Sequence, residues 1–333
     1  VVPPGAGLVD PNVIDAMVAQ YIESRETMRM CFTQAPVGLA PVVLARGLLE
    51  SLAAGGVAPG VVLAYRPEAP EADLILKECC YKAPAEIVHA GGRFVADCAG
   101  GVARVTAALE SAGNDERRLD ALAAARWARR EYDGRVGASP REVEIELTTE
   151  DPLAGTTLRP RGSAVGSRGP MPVAMARAIA EQVGMADDGL VVLGGFGDPL
   201  AHPEFPEIVR VLREGGVYGI AVRTPLVRPG VAAVEALFEH RVDVVSVLLD
   251  ATSAETYAAV HGADHYDAVV GAIEGLIQGR LSRRQASPLV VPEMVKSRVT
   301  VGGMEAFFDA WVRRVGWAVI DGYSHYAGQV EDR

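Results

Sequence analysis

VEIELTTEDPLAGTTLRPRG, Val143 to Gly162, begins as a strand, runs into a long loop, and starts a rhythm that holds to the end of the chain. Strand-like runs follow at GLVVLGGF (189–196), YGIAVRT (218–224), VDVVSVLLD (242–250), PLVVPEM (288–294) and GWAVIDGY (316–323). Between them the spacing predicts helices over Val173–Val183, Pro206–Glu214, Val231–His240, Ala254–Val260, Tyr266–Gln278 and Met304–Val315. The runs are β-branched and nearly continuous in apolar residues, as in parallel strands buried on both faces. About six βα units fit a doubly wound sheet or an open barrel. In both, ligands sit at the carboxyl ends of the strands. Those ends carry Thr148 and Thr149, Gly194 to Asp198, Thr224, Asp250, Glu293 and Lys296, and Tyr323 to His325. Each alone has a structural explanation as a cap or turn residue; as a set they outline a cleft.

The first half is organised differently. Helical spacing covers Pro11–Arg25, Pro41–Ala54, Gly101–Ala112 and Glu116–Tyr132, and MRMCF (28–32), VVLAY (61–65) and AEIVHA (85–90) read as strands. Asn114 and Asp115 suit the start of the last helix. That helix carries Arg117, Arg118, Arg126, Arg129 and Arg130, a stripe that reads either as a grip for an anion or, given the nearby acids, as a solvated connecting helix. We divide the chain into an α/β unit over 1–112, a helical linker over 113–139 and a βα-repeat unit over 140–333.

The chain has 333 residues and a net charge of -11, so its general surface repels phosphate backbones and nucleic acid is not an expected partner. No apolar run reaches the roughly 20 residues of a membrane span, and VVPPGAGLVD is not a signal peptide. The four cysteines, Cys31, Cys79, Cys80 and Cys98, form no C-x-x-C motif, and their usage predicts reduced thiols in a cytoplasmic protein.

Two motifs have two readings each, and two others fall short of a known pattern. GGFGDPLAHPEF keeps Gly195-x-Gly197 of a dinucleotide fingerprint but has Leu200 at the third glycine; a tight strand-to-helix turn explains it equally well. RPRGSAVGSRGP sets Arg159, Arg161 and Arg168 among glycines, an anion-binding pattern or a solvated loop. HGADH spaces His261 and His265 four apart, but Gly262 breaks the helix, so no metal is expected there. GYSHYAG has Tyr326 where a nucleophile elbow closes on glycine.

Residues 140–333 resemble the radical SAM superfamily. VEIELTT is similar to its first strand, and LGGFGDPLAHPEF to the glycine-rich motif that contacts the amino group of S-adenosylmethionine. AVRTP is similar to the third strand, with Pro225 for the usual asparagine, and VSVLLDATSAETYAAVHG to the fourth strand and helix. The resemblance implies a partial (β/α)6 barrel, with Gly194, Gly195, Gly197, Asp198 and Thr224 toward the cofactor. It also implies three cluster-binding cysteines after the first strand. Here the loop reads EDPLAGTTLRP, with Glu150, Asp151, Gly155 and Thr156 and no thiolate, so no iron–sulfur cluster is expected from this chain. GLVDPNVIDAM with GGRFVADCAGGVARVTAAL resembles the latter part of a nucleotidyltransferase-like domain, which would make Asp97 a metal-binding aspartate; its nucleotide loop has no counterpart here. That order matches proteins of the spiro-SPASM type.

Three functional readings follow. The first is a degenerate radical-SAM-like protein binding S-adenosylmethionine, a nucleotide or another anion, or a protein partner, at the barrel mouth without cluster chemistry. The second is an enzyme with Asp250, Glu293, Lys296 or His325 as acid–base groups. The third is a nucleotidyltransferase whose front half lies outside this chain.

Overall fold

The computed structural model describes residues 1–55, 78–113, 119–133, 140–153, 158–160, 168–185 and 188–330. VVLAY, Asn114, Asp115, Arg117, Arg118, Gly155, Thr156 and Arg161 lie outside them.

The N-terminal unit contains helix α1 (Pro11–Glu23), strands β1 (Met30–Thr33) and β2 (Val43–Leu44), helix α2 (Arg46–Gly55) and strand β3 (Cys80–Tyr81). Helices α3 (Ala85–Val88), α4 (Ala99–Ser111) and α5 (Ala121–Asp133) complete it. The sheet order is β2-β1-β3, with β1 antiparallel to β2 and parallel to β3. Its core gathers Met17, Cys31, Leu39, Phe94, Ala108 and Trp127. Asp10 joins two helix starts: one carboxylate oxygen accepts from Asn12 N at 2.8 Å and the other from Ala121 N at 3.0 Å.

Three local expectations are corrected. AEIVHA is not a strand; after Pro84 it turns into the short helix α3 and buries Ile87. The helix expected from Pro41 starts at Arg46, because Val43 and Leu44 pair with Cys31 and Met30. The helix expected from Glu116 is seen from Ala121, where Asp120 accepts from Ala123 N at 2.7 Å.

The second unit is a run of six parallel strands, the first five each followed by one or two helices. Strands β4 (Glu142–Glu146), β5 (Leu190–Gly194), β6 (Gly219–Thr224), β7 (Val244–Leu248), β8 (Leu289–Val295) and β9 (Val319–Asp321) are all parallel and lie side by side in chain order. A doubly wound sheet reverses its strand order at a switch point; this one does not, so it is an open, partial barrel. Helices α6 (Val173–Val183), α7 (Phe205–Glu214), α8 (Val231–Glu239), α9 (Ala254–His261), α10 (Tyr266–Ser282) and α11 (Met304–Val315) follow the strands.

Alternation along the strands decides what faces the helices. Ile145, Val191, Leu193, Ile220, Val222, Val245, Val247 and Val290 are buried with Phe205, Ile208, Leu212, Leu237, Ile273 and Phe307 from the helices. Each such side chain contributes about 1.5–3 kcal/mol by leaving water. The opposite positions mix Glu144, Glu146, Arg223, Ser246 and Glu293 with apolar residues such as Val192, Ala221, Val244 and Val291. The central strands are apolar at most positions on both faces as expected, while β4 and single residues of β6, β7 and β8 bring charged and polar groups to the concave face. The two units touch where the Arg93 guanidinium lies 3.8 Å from the centroid of the Tyr218 ring, at the amino-terminal end of β6. No helix among the described residues is long and apolar enough to cross a membrane.

Candidate functional site

Parallel strands bring six loop starts to one edge, and most of the residues singled out in the sequence sit there. Glycine separates two explanations of the loop after β5. A Cβ on Gly197 would lie 2.1 Å from Thr148 O, and Gly195 has φ +99 with its Cβ position 2.7 Å from a Glu146 carboxylate oxygen. Close approach by the protein's own chain accounts for both glycines. Asp198 is buried beneath them. Its Oδ1 accepts from Thr224 Oγ1 at 2.8 Å and from Leu200 N at 3.0 Å, while its own N–H donates to Glu150 O at 2.7 Å. The fully buried Thr224 then accepts from Leu226 N at 2.9 Å, so one short polar chain ties the first three loops together.

Two arginines of the first loop are held by carboxylates. Arg168 Nη2 meets Glu146 Oε1 at 2.6 Å, and the other Glu146 oxygen accepts from Phe196 N at 2.8 Å. Arg159 Nη2 meets Asp250 Oδ2 at 2.6 Å, with side-chain exposures of 9% and 0%. Asp250 has φ +53, and its Oδ1 accepts from Val295 N at 2.7 Å. A non-glycine residue in the left-handed region with a buried, paired carboxylate is a costly arrangement that its surroundings must impose. Leu158, Val260 and Val295 pack against one another in the same region.

The acid–base candidates divide by environment. Asp250 and Glu293 are buried in ion pairs; Lys296 and His325 are exposed, and His325 Nδ1 accepts from Gly328 N at 3.2 Å. His261 is a core residue: Nε2 lies 3.1 Å from Leu249 O and its ring is 4.3 Å from that of Tyr257. Gly262, at φ +76, ends that helix, and His265 caps the next. Asp97 is exposed and ion-paired with Arg93, whose contact with Tyr218 is at the other edge of the sheet. Among the described residues no group of three or more His, Cys, Asp or Glu side chains is arranged to hold a metal.

Sequence reasoning named Glu293 on the concave face but passed over the groups around it. Arg223 Nη2 lies 2.9 Å from Glu293 and 3.7 Å from Asp321. Burial works against the Arg223 charge, but the Glu293 carboxylate together with Glu144 and Asp321 outweighs it and holds the guanidinium pKa above its ordinary value. The available signal was the alternation of Glu142, Glu144 and Glu146 in β4 and the lone Arg223 in β6. His202 was also passed over. Its Nδ1 accepts from Glu204 N and its Nε2 lies against Met171 O, both at 3.0 Å, which fixes the tautomer; burial pushes its pKa below the usual histidine value.

Outside this polar frame the mouth has a cleft of about 340 Å³, lined by Glu150, Asp151, Asp198, Leu200, Arg228 and Gly230 among others. Its far wall is strained at Arg228, with φ of +52, and so is the buried Leu226 behind it, with φ of +55. Helix α8 starts beside it at Gly230. A cluster of iron and sulfide does not fit these residues. Its ligands are thiolates, residues 140–333 contain no cysteine, and Cys31 and Cys80 are buried in the other unit. S-adenosylmethionine on its own needs only hydrogen bonds and charge complementarity, which Glu150, Asp151 and Arg228 supply in kind.

No protein-family profile matches the chain. An uncharacterized protein of Treponema pallidum (strain Nichols) is 23% identical over 205 residues, covering 58% of this chain and 57% of that protein. Among solved structures the barrel is similar to Streptococcus suis SuiB, a radical SAM enzyme. The SuiB structure bound to S-adenosylmethionine gives a TM-score of 0.51 at 14% identity, over 70% of this chain and 56% of that one. The SuiB structure bound to precursor peptide SuiA gives 0.50 at 12% identity, over 64% and 47%. The chain thus spans about half the length of the proteins it matches, and what it shares with SuiB is the radical-SAM-like fold.

Proposed function

We propose that this chain is a ligand-binding protein of the radical-SAM-like fold that works without a cluster of its own, and that the mouth cleft is where the ligand sits. One observation carries the reading. The loop that would hold the cluster has no thiolate and is fastened to the barrel by Arg159–Asp250 and Arg168–Glu146, yet a cleft with both signs of charge stays open beside it. An α-amino acid group fits such walls, its ammonium toward Glu150 and Asp151 and its carboxylate toward Arg228. S-adenosylmethionine carries that group, and the similar fold of SuiB binds it. The acid–base reading gains no support from groups that are locked in ion pairs or exposed, nor the nucleotidyltransferase reading from an Asp97 paired with arginine.

The test is titration calorimetry with S-adenosylmethionine on anaerobically purified protein assayed for iron and sulfide. Binding without iron, weakened at least tenfold by Arg228→Ala, is expected. Stoichiometric iron and sulfide would overturn the cluster-free reading. No heat with S-adenosylmethionine or any nucleotide would overturn the ligand reading and direct attention to a protein partner.

A further inference from the structure

Three of the four cysteines converge on one small sheet far from the mouth in sequence. β1 and β3 are parallel neighbours with Phe32 opposite Cys80 and Thr33 opposite Tyr81, and Phe32 N donates to Cys79 O at 2.9 Å. Cys79 is the turn residue just before β3, and carrying the register one step back from Cys80 puts it opposite Cys31. In a parallel pair, residues in register point to the same face, and neighbouring strands lie about 4.7–4.9 Å apart. That separation falls inside the Cα–Cα window of about 4.4–6.8 Å that a disulfide spans. Cys79 packs against the core cluster that contains Cys31. Cys80 points to the opposite face by alternation. All of these residues are thiols in this structure.

We propose that Cys31 and Cys79 form a dithiol modification site, which a low-molecular-weight disulfide such as oxidised glutathione converts to a cross-strand disulfide. Exposure sets the order of events. Cys31 is fully buried and Cys79 is half-buried, so the reagent meets Cys79 first. The Cys79 thiolate attacks one sulfur of oxidised glutathione, forming a mixed disulfide and releasing one glutathione thiolate. The Cys31 thiolate then attacks Cys79 Sγ, forming the protein disulfide and releasing the second. Two protein thiols lose two electrons and two protons, and one glutathione disulfide becomes two thiols. The second step is the slow one. Burial, with the neighbouring thiols adding to it, pushes the Cys31 pKa up to about 11, so its reactive thiolate is scarce at neutral pH. Closure therefore quickens about tenfold per pH unit from pH 7 toward pH 10.

The experiment uses the full chain, incubated folded with oxidised glutathione, quenched in acid, alkylated and peptide-mapped by mass spectrometry. A Cys31–Cys79 linked peptide is the expected product. Cys31→Ser is expected to stop at a stable glutathione adduct on Cys79, and Cys80→Ser to close as wild type does. Circular dichroism of each variant confirms that it is folded. A Cys79–Cys80 disulfide, glutathione on Cys79 that never resolves in wild type up to pH 10, or linkage of Cys31 only in urea would each overturn the proposal.

Discussion

Arg159→Ala removes one partner of an ion pair whose carboxylate is fully buried and whose guanidinium is nine-tenths buried, at a contact of 2.6 Å. Deleting one side of such a pair costs about 3–5 kcal/mol, because the surviving charge stays in a poor solvent. Asp250 keeps its bond from Val295 N, which sets the expectation at the lower end of that range. For a cooperative unit of about 150–250 residues each kcal/mol lowers Tm by roughly 2–4 °C, so a fall of about 6–12 °C is expected. Thermal unfolding followed by circular dichroism measures the Tm and urea unfolding the free energy, with Asp250→Asn and the double variant completing a thermodynamic cycle. Each single variant strands one buried charge, whereas in the double variant asparagine can still accept from Val295 N and neither charge remains. The double variant is therefore expected to be more stable than the sum of the single losses predicts, by about 1 kcal/mol or more. An Arg159→Ala protein within 1 kcal/mol of wild type, or strictly additive losses, would refute the reasoning that this pair seats the first loop on the mouth.

Two further outcomes rest on other parts of the same edge. Gly197→Ala puts a methyl group 2.1 Å from Thr148 O, a backbone atom that cannot step aside, so loss of soluble folded protein or a Tm fall larger than that of Arg159→Ala is expected. His202 must be neutral when folded, since Nδ1 is an acceptor and the site is buried. Its folded pKa is lowered, so its stability contribution is complete above the unfolded value near 6.5 and is lost as pH falls below it. The Tm of His202→Gln should change less between pH 7 and pH 5 than that of wild type; equal slopes would show that this imidazole does not set acid sensitivity.

The βα rhythm was legible because burial against helices demands β-branched runs at one strand face, and residues such as Val245 and Val247 state it plainly. Val173–Val183 and Met304–Val315 coincide with the expected helices for the same reason: their apolar spacing meets a packed layer. The candidate site was legible as positions at strand ends and illegible as a network. Arg159 and Asp250 are 91 residues apart, and nothing local in either segment announces the other. Arg223 hid inside a run that reads as apolar, and its pairing with Glu293, named only as a strand-end residue, joins segments 70 residues apart. In the N-terminal unit, AEIVHA failed as a strand because six residues carry too little periodicity to outvote the preceding proline.

Strand order in the barrel equals chain order, and the first and last strands do not pair among the described residues. Each strand thus finds its partner in the segment made just before it. Closure of a complete barrel would join the two ends of the unit, a contact of high sequence separation that is paid for in chain entropy before it returns anything. This sheet omits that step. It can lengthen strand by strand as the chain leaves the ribosome, with every added unit docking on a surface already formed, and its folding rate is set by neighbouring crossovers rather than by the meeting of its ends.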